Sequence, residues 1–451
     1  MESATELHNT RETAFYTVLG LGLLLVGLTI SFFLFPFKIS GDGIDRQYFM
    51  DILIHQHKVL PMRYSMIGPL ASLPVWWLSS FFKDPTAVVA RYNFILFVVF
   101  LIGFAFGVKK QFKPDFLLTV FILLAFGSML PGHLLNYYGE VFSAVCFAAG
   151  LTGLAMNKSW IGWTLVLLGV MNMPALMVPF ILVVGYFTWE SRRLRYLGLI
   201  PLVAVLLVAE SYLRTGSITT GFMTYLSQDH GYETFMPYSG KIGYSYPFGL
   251  GILSILFSFG KGLLFFCPGL ILAGIALKTI TNPVERRLLI LWLLASVGLV
   301  FAYASWWAWY GGWFWGPRFF LFASFTATWI LARLIHSRPR SFWLTLVLVA
   351  MISLSMWVGM NGVVFRQNTL EICSQNSYAL ESLCWYVPEF SPLFRPFFAH
   401  ATLHFNERLL VILFGVIWLY LVIPLGIELS RRSLQAARGI IPSLKLNSWK
   451  F

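Results

Sequence analysis

The chain has 451 residues, of which 58% are hydrophobic, 18% aromatic and only 11% charged, and its mean hydropathy is +0.74. This apolar share excludes an ordinary soluble domain and predicts an all-α polytopic membrane protein. The net charge of +13 does not indicate nucleic-acid binding, because the basic residues lie between apolar runs rather than on one face or tail. We interpret them as topology signals and as contacts to membrane lipids.

The apolar runs predict about twelve transmembrane helices. The first run is long enough to span and is followed by no small-residue cleavage site, so we expect it to remain as the first helix. The sequence MNMP at 171–174 separates two short spans, although Pro174 could instead kink a single helix and shift the topology by one span. The expected spans are 13–36, 92–108, 115–131, 138–156, 160–172, 174–188, 196–213, 262–278, 286–304, 318–335, 341–360 and 408–427.

The segment 64–82 is apolar but contains Gly68, Pro69 and Pro74, which favours a broken or partly inserted helix over a clean span. If it spanned, the cluster at 109–113 and most later basic loops would lie outside. If it stays on the outer side, all basic clusters lie inside, as the positive-inside rule requires. We therefore expect a multi-pass membrane protein with both termini in the cytoplasm.

This topology places the longer polar segments on the outer face, where we expect the chemistry. They look too short to fold alone, so residues 1–451 are expected to form a single domain. Cys373 and Cys384 share the last of these loops. They could form a disulfide if that loop faces an oxidising compartment, or remain two free thiols. The expected outer loops are 41–91, 131–140, 215–251, 305–318 and 361–406.

Three carboxylates lie next to the expected outer surface, where acids are costly and tend to mark function. Asp42 and Asp45 belong to the stretch SGDGIDRQYF at 40–49, and Glu140 begins a later span in NYYGEVF. Asp42, between two glycines, could act as a general base whose pKa is raised by partial burial, or could cap a helix. Asp45 is the alternative base. Glu140 could help hold an acceptor or a cation, or could simply favour the helix dipole.

Four basic residues could bind a lipid phosphate, or could snorkel to headgroups: Arg63, Arg91, Lys261 and Arg318. Arg318 is the best candidate, because the glycines of WWAWYGGWFWGPRFF at 306–320 permit close backbone approach. The aromatic side chains of the same stretch are typical of an interfacial belt, but their density also suits stacking on a sugar or lipid. The candidates for that contact are Trp309, Tyr310 and Trp313.

Three passages resemble the C-type superfamily of membrane glycosyltransferases, in particular its protein O-mannosyltransferase and aminoarabinose transferase group. They are SGDGIDRQYF, the segment YPFGLGILSILFSFGKGLLFFCPGLILA at 246–273, and WWAWYGGWFWGPRFF. The resemblance implies inverting transfer of a sugar from a polyprenyl-phosphate donor, with Asp42 as base. The mannosyltransferases have an adjacent Asp-Glu pair that this chain lacks, so the choice between Asp42 and Asp45 stays open. No WWDYG-like motif is present, so transfer to asparagine is not expected.

With this resemblance, we expect a polyprenyl-phosphate-sugar-dependent glycosyltransferase of the bacterial plasma (inner) membrane, whose acceptor is a glycan, a lipid or a protein. We favour a metal-free mechanism because few acids cluster, with a divalent cation as the alternative. A transporter or flippase of lipid-linked sugars is the main competing class. We see no internal repeat of the kind on which many transporters are built. A non-catalytic scaffold is the third possibility.

Overall fold

The computed structural model describes residues 2–218, 227–337, 340–365, 371–399 and 401–440, and these residues form helices and loops without a β-strand. The α-helices are α1 Glu2–Leu34, α2 Asp42–Gln56, α3 Ile67–Ala71, α4 Leu73–Ser79, α5 Pro85–Val89, α6 Tyr92–Val108, α7 Pro114–Phe126, α8 Leu130–Leu134, α9 Gly139–Ala155, α10 Ser159–Asn172, α11 Met177–Ser191, α12 Leu199–Thr215, α13 Phe248–Phe257, α14 Leu263–Phe266, α15 Ala273–Thr279, α16 Pro283–Ala304, α17 Ala323–His336, α18 Phe342–Val364, α19 Glu371–Tyr378, α20 Glu381–Tyr386 and α21 Phe405–Ile440.

Seven helical stretches of the described chain are long and apolar enough to cross a membrane, so the expectation of a polytopic membrane protein is supported. The figure of twelve spans is not confirmed. Five further apolar helices have only 10–17 residues, and the expected span at 318–335 is a 3₁₀ turn followed by α17. The seven stretches are Phe15–Leu34, Pro85–Val108, Pro174–Ser191, Leu194–Thr215, Pro283–Ala304, Phe342–Val364 and Phe405–Leu434.

The connecting segments separate into two layers at opposite ends of the helices. Arg287, near the start of α16, donates to Asn157 at 2.8 Å and to Glu190 at 2.6 Å, so the ends of α9 and α11 meet there. At the other end of α9, Asn172, the last residue of α10, donates to the Gly139 carbonyl at 2.8 Å. The chain therefore reverses between α10 and α11, and MNMP joins two helices rather than kinking one.

The basic loops share the end marked by Arg287. Asn282 contacts the carbonyl of Gln111, and Arg333 contacts Thr279. Arg340 pairs with Glu428 near the end of α21. The grouping expected from the positive-inside rule is thus present for these loops, while Arg338 and the basic residues beyond 440 lie outside the described residues.

The segment 64–82 stays at the opposite end, which we call the site end. It forms the broken helices α3 and α4, as its prolines and glycine predicted. The backbone N–H of Gly68 donates to Asn172, and Ser72 bonds Tyr137. Arg91, which follows α5, contacts the carbonyl of Phe32 near the end of α1.

The remaining site-end loops are more structured than the sequence indicated. The expected outer loop 215–251 ends early because α13 begins at Phe248, and its residues 219–226 lie outside the described residues. The expected loop 361–406 contains α19, α20 and a disulfide between Cys373 and Cys384, so the disulfide rather than free thiols is the state in this structure. Its residues 366–370 and 400 are also outside the described part.

The core between the two layers is aromatic. Trp292 of α16 and Trp329 of α17 are fully buried and pack edge to face with ring centroids 5.4 Å apart. Phe104 of α6 contacts both rings. Such T-shaped pairs stabilise packing beyond the area that they bury, so they hold the helices that carry the site-end loops.

The close crossing of α7 and α18 depends on Gly359. A Cβ atom at this position would lie 1.9 Å from the carbonyl oxygen of Phe126. We expect Gly359→Ala to force the helices apart and to destabilise the protein by roughly 1–3 kcal/mol, measured as a lower thermal midpoint in detergent. Gly103→Ala in α6 is the matched control because a Cβ there meets nothing within 4 Å. Equal midpoints for both variants would contradict this packing.

Candidate active site

A cavity of about 400 Å³ opens at the site end. Its wall combines charged side chains with large aromatic rings, a composition typical of sites that bind a partly apolar ligand with a charged group. The charged residues on the wall are Asp42, Arg46, Arg63, Glu140, Glu210, Arg214 and Arg318, and the aromatic ones are Tyr64, Tyr232, Tyr303, Trp306, Trp307, Tyr310, Trp313, Phe314 and Phe319.

An ion pair between Asp42 and Arg318 lies in this wall. Arg318 Nη1 is 2.7 Å from Asp42 Oδ2, and the two side chains are only 9% and 13% exposed. Asp42 is the first residue of α2, and Gly41 before it has φ of 53°, a conformation that glycine adopts without strain. A Cβ on Gly41 would also lie 2.8 Å from the Phe314 ring. The glycine therefore lets the carboxylate approach the loop that carries Arg318.

Glu140 is a second carboxylate on the same guanidinium. Its Oε1 is 3.4 Å from Arg318 Nη1 and its side chain is 11% exposed. Glu140 lies in the first turn of α9, where the helix dipole favours a negative charge. Its other oxygen, Oε2, is buried and has no hydrogen-bond partner among the described residues. Arg318 thus lies between two acids contributed by different helices.

The surroundings of Asp42 lower its pKa, contrary to the sequence-based expectation. Burial by itself raises the pKa of Asp42, but the charge of Arg318, hydrogen bonds from Tyr64 and Arg318, and the charge of Arg46 lower it to about 2. Burial alone would likewise lower the pKa of Arg318, yet Glu140 and Asp42 raise it above its ordinary value. Asp42 is therefore an ionised carboxylate at any physiological pH, and the prediction of a raised pKa is wrong.

Lys261 shapes the loop around Arg318 rather than the cavity. Its side chain is 1% exposed, and its Nζ donates to the carbonyls of Gly312 at 3.0 Å, Gly316 at 2.9 Å and Phe314. An ammonium group has three donors, and three carbonyls accept them here. Lys261 does not line the cavity, so the structure assigns it to loop folding and not to the predicted phosphate contact.

The aromatic candidates divide between the cavity and the core. Trp313 lines the cavity and stacks on Trp385 and Tyr378, with ring centroids 5.5 and 4.6 Å away. Tyr310 also lines it, and its hydroxyl donates to Glu381 at 3.2 Å. Trp309 is 1% exposed and absent from the cavity wall. The ligand contact expected for Trp309 therefore does not fit its position.

Three further sequence candidates lie at the margin or away from the cavity. Arg63, 46% exposed, lines the mouth and is 3.7 Å from both Asp42 and Asp45. Asp45 is 52% exposed and is not part of the wall. Arg91 donates to the Ala87 carbonyl at 2.6 Å and lies outside the cavity, so it does not meet the other candidate phosphate ligands.

Sequence reasoning missed the other three charged residues of the wall, Arg46, Glu210 and Arg214, and, among its aromatic residues, Tyr64 beside Asp42. Arg46 lies one turn after Asp42, with its guanidinium 4.3 Å from the Tyr64 ring. The i, i+4 spacing of Asp42 and Arg46 is typical of an ion pair on a helix, and so is the same spacing of Glu210 and Arg214 within an apolar span. Tyr64 carried no local signal, since only the folded chain brings its hydroxyl to Asp42.

The carboxylates of the site do not form a cluster with a third ligand. In the described ranges no group of three or more His, Cys, Asp or Glu side chains is placed to hold a metal ion. The positive charge between Asp42 and Glu140 comes from Arg318.

The pair can be tested through the pH dependence of stability. The pKa of Asp42 is lowered to about 2. Its contribution to the free energy of unfolding is therefore fully present above the ordinary pKa near 4 and is lost as pH falls toward 2. In Arg318→Met, Asp42 and Glu140 lose their cation, and burial should then raise the pKa of Asp42. We expect this variant to be destabilised by roughly 3–5 kcal/mol near neutral pH and by less at pH 4, measured by thermal midpoints.

Arg91→Met serves as the control because its guanidinium contacts backbone carbonyls rather than a carboxylate. Adding Asp42→Asn to Arg318→Met should recover stability at pH 7, since one uncompensated charge is removed. Arg318→Met could instead lower the thermal midpoint equally at pH 4 and pH 7, and the double variant could recover no stability. That result would show that the Asp42–Arg318 pair does not act through charge.

Comparison with known proteins adds no assignment to this geometry. No protein-family model, no curated protein and no solved structure matches the chain. The functional interpretation therefore depends on the site itself.

Proposed function

We propose that the protein is a membrane glycosyltransferase that moves a sugar from a polyprenyl-phosphate donor to an acceptor hydroxyl, with inversion and with Asp42 as the general base. The observation that supports this most is the buried Asp42–Arg318–Glu140 arrangement on the wall of a cavity that also presents aromatic rings. A base, a phosphate-binding cation and a surface for a sugar or prenyl group are the three elements that this reaction needs.

The proposed location is the outer side of the bacterial plasma membrane. The basic loops share the end opposite the cavity, and basic loops favour the cytoplasm. The Cys373–Cys384 disulfide lies at the site end, and disulfides persist in oxidising compartments. Both observations support an outward-facing cavity, with the described ends of α1 and α21 on the cytoplasmic side.

Two buried polar atoms on charged side chains of the wall support an anionic ligand with a hydroxyl-bearing partner. Arg46 Nε and Glu140 Oε2 are buried without a hydrogen-bond partner among the described residues. A donor phosphate would accept from Arg46 and Arg318, while Glu140 could accept from an acceptor or sugar hydroxyl. Arg63, at the mouth, would lie on the path of the phosphate.

Phosphate binding would also activate the base. In the transfer step the acceptor oxygen bonds the anomeric carbon as the bond from that carbon to the phosphate oxygen breaks. The acceptor proton passes to Asp42, and the electron pair leaves with polyprenyl phosphate. A pKa of about 2 makes Asp42 a weak base, but a phosphate that shares Arg318 would reduce the lowering charge and raise that pKa.

The sharpest test is Asp42→Asn. We expect transfer of radiolabel from a panel of polyprenyl-phosphate sugars, measured in membranes, to fall at least ~10²-fold with unchanged expression. Asp51→Asn on the same helix is the matched control, because Asp51 is 53% exposed and pairs only with His55 among the contacts described.

The other outcomes have definite meanings. Equal activity in Asp42→Asn and wild type would reject Asp42 as base and direct the same test to Glu140 and Asp45. Wild-type membranes that transfer no sugar from any donor would contradict the proposal and favour a flippase of lipid-linked sugars or a non-catalytic scaffold.

A further inference from the structure

A buried ion pair lies on α12, a helix that is otherwise mostly exposed at the periphery. Val205 and Leu213 of α12 are 64% and 70% exposed. On its inner face, Glu210 and Arg214 are only 5% and 4% exposed and form two contacts, at 3.0 and 3.2 Å. Charges within an apolar span are costly and usually functional, and neither residue belongs to the Asp42–Arg318–Glu140 group.

Each member of the pair also holds one end of a short loop segment. Glu210 Oε1 accepts the backbone N–H of Met66 at 2.9 Å. Arg214 Nη1 donates to the backbone carbonyl of Met62. We call residues 62–66 the strap. The strap connects α2 to α3, and the residues before it, from His57 to Val59, are exposed, so α12 provides its described anchors at both ends.

The strap carries two residues to the candidate base. Tyr64 helps to lower the pKa of Asp42, and Arg63 Nη2 is 3.7 Å from the same carboxylate. The guanidinium groups of Arg46 and Arg63 lie 4.3 and 4.8 Å from the Tyr64 ring. Without a fixed strap, Asp42 would lose the neighbouring Tyr64, a nearby cation and part of its shielding from water.

We propose that Glu210 and Arg214 are positioning residues that hold the strap, and with it Tyr64 and Arg63, against Asp42. The order of the acidic and the basic residue along α12 suits this role. The strap presents an N–H to position 210 and a carbonyl to position 214, so a hydrogen-bond acceptor is needed at the first and a donor at the second. The consequence for catalysis rests on the proposed function, whereas the anchoring of the strap does not.

Exchanging the two residues distinguishes strap anchoring from ordinary ion-pair stability. The exchanged pair Glu210→Arg with Arg214→Glu keeps an i, i+4 ion pair on α12. It also sets a donor against the Met66 N–H and an acceptor against the Met62 carbonyl. If the pair served only to neutralise buried charge, the exchange would be tolerated; if it holds the strap, the exchange would release it.

The test is hydrogen exchange of the purified full-length protein, read on peptides covering residues 60–68 and on peptides from α16. We expect Glu210→Ala and the exchanged pair to raise the exchange rate of the strap about tenfold or more, the equivalent of one net hydrogen bond, with α16 unchanged. Glu210→Gln should stay close to wild type because its amide oxygen still accepts from Met66. Glu190→Ala, which breaks an ion pair at the other end, is the control.

Wild-type exchange rates at 60–68 in Glu210→Ala, or in the exchanged pair with α16 still protected, would overturn the proposal. A second measurement addresses the reaction. In the transfer assay, Glu210→Ala should reduce kcat/KM and shift the acidic limb of its pH profile, because Asp42 loses Tyr64 and Arg63, and Glu210→Gln should restore both. Absence of transfer in wild type would reject the glycosyltransferase proposal alone, since exchange decides the anchoring without activity.

Discussion

The contact between Asp42 and Arg318 is the interaction on which the site depends. It joins residues 276 positions apart in the chain, and it places a cation between the acids of α2 and α9. Any one of these charges would be strongly unfavourable alone at this depth, whereas the group of three offsets much of the desolvation cost. The glycine before Asp42 and the folded loop before Arg318 both allow this approach, so local conformation and electrostatics favour the same arrangement.

Three of the buried basic residues at the site end perform different tasks. Arg318 balances two carboxylates on the cavity wall. Lys261 satisfies carbonyls of the glycine-rich loop and so fixes the backbone from which Arg318 projects. Arg214, paired with Glu210, contacts the strap. Arg suits the first and third tasks because its planar group binds a carboxylate and a further acceptor at once, while the compact ammonium of Lys suits a ring of carbonyls.

The ionised state of Asp42 links these contacts to the proposed reaction. A base that is already charged needs no proton removed before the acceptor arrives, but its strong pairing with Arg318 makes it weakly basic. Binding of a second anion at Arg318 would resolve this conflict, since one guanidinium would then be shared among more acceptors. The site would thereby couple donor binding to base strength, so that a proton is taken only when the donor is present.

Part of the site was recognisable from local sequence. Asp42, Glu140 and Arg318 each stand beside an apolar run, where a charge is unusual, and the structure brings all three together. The same reasoning also selected Lys261 and Arg91, which donate to backbone carbonyls in the structure, and Trp309, which is buried away from the cavity. A charge near a membrane boundary indicates that a partner exists but not whether that partner is a ligand, an acid or a carbonyl. Nothing in the local sequence indicated a role for Tyr64. Only the i, i+4 spacing of Glu210 and Arg214 indicated the ion pair on α12.

The sequence by itself determined the helical membrane character of the protein and the gathering of its basic loops at one end, because hydropathy and charge act over stretches of about twenty residues. Only the tertiary structure decided which acids share Arg318, that the pKa of Asp42 falls rather than rises, and that the strap is held from α12. These properties depend on distances of a few ångströms between groups far apart in the chain. Electrostatic and hydrogen-bond energies change steeply over such distances.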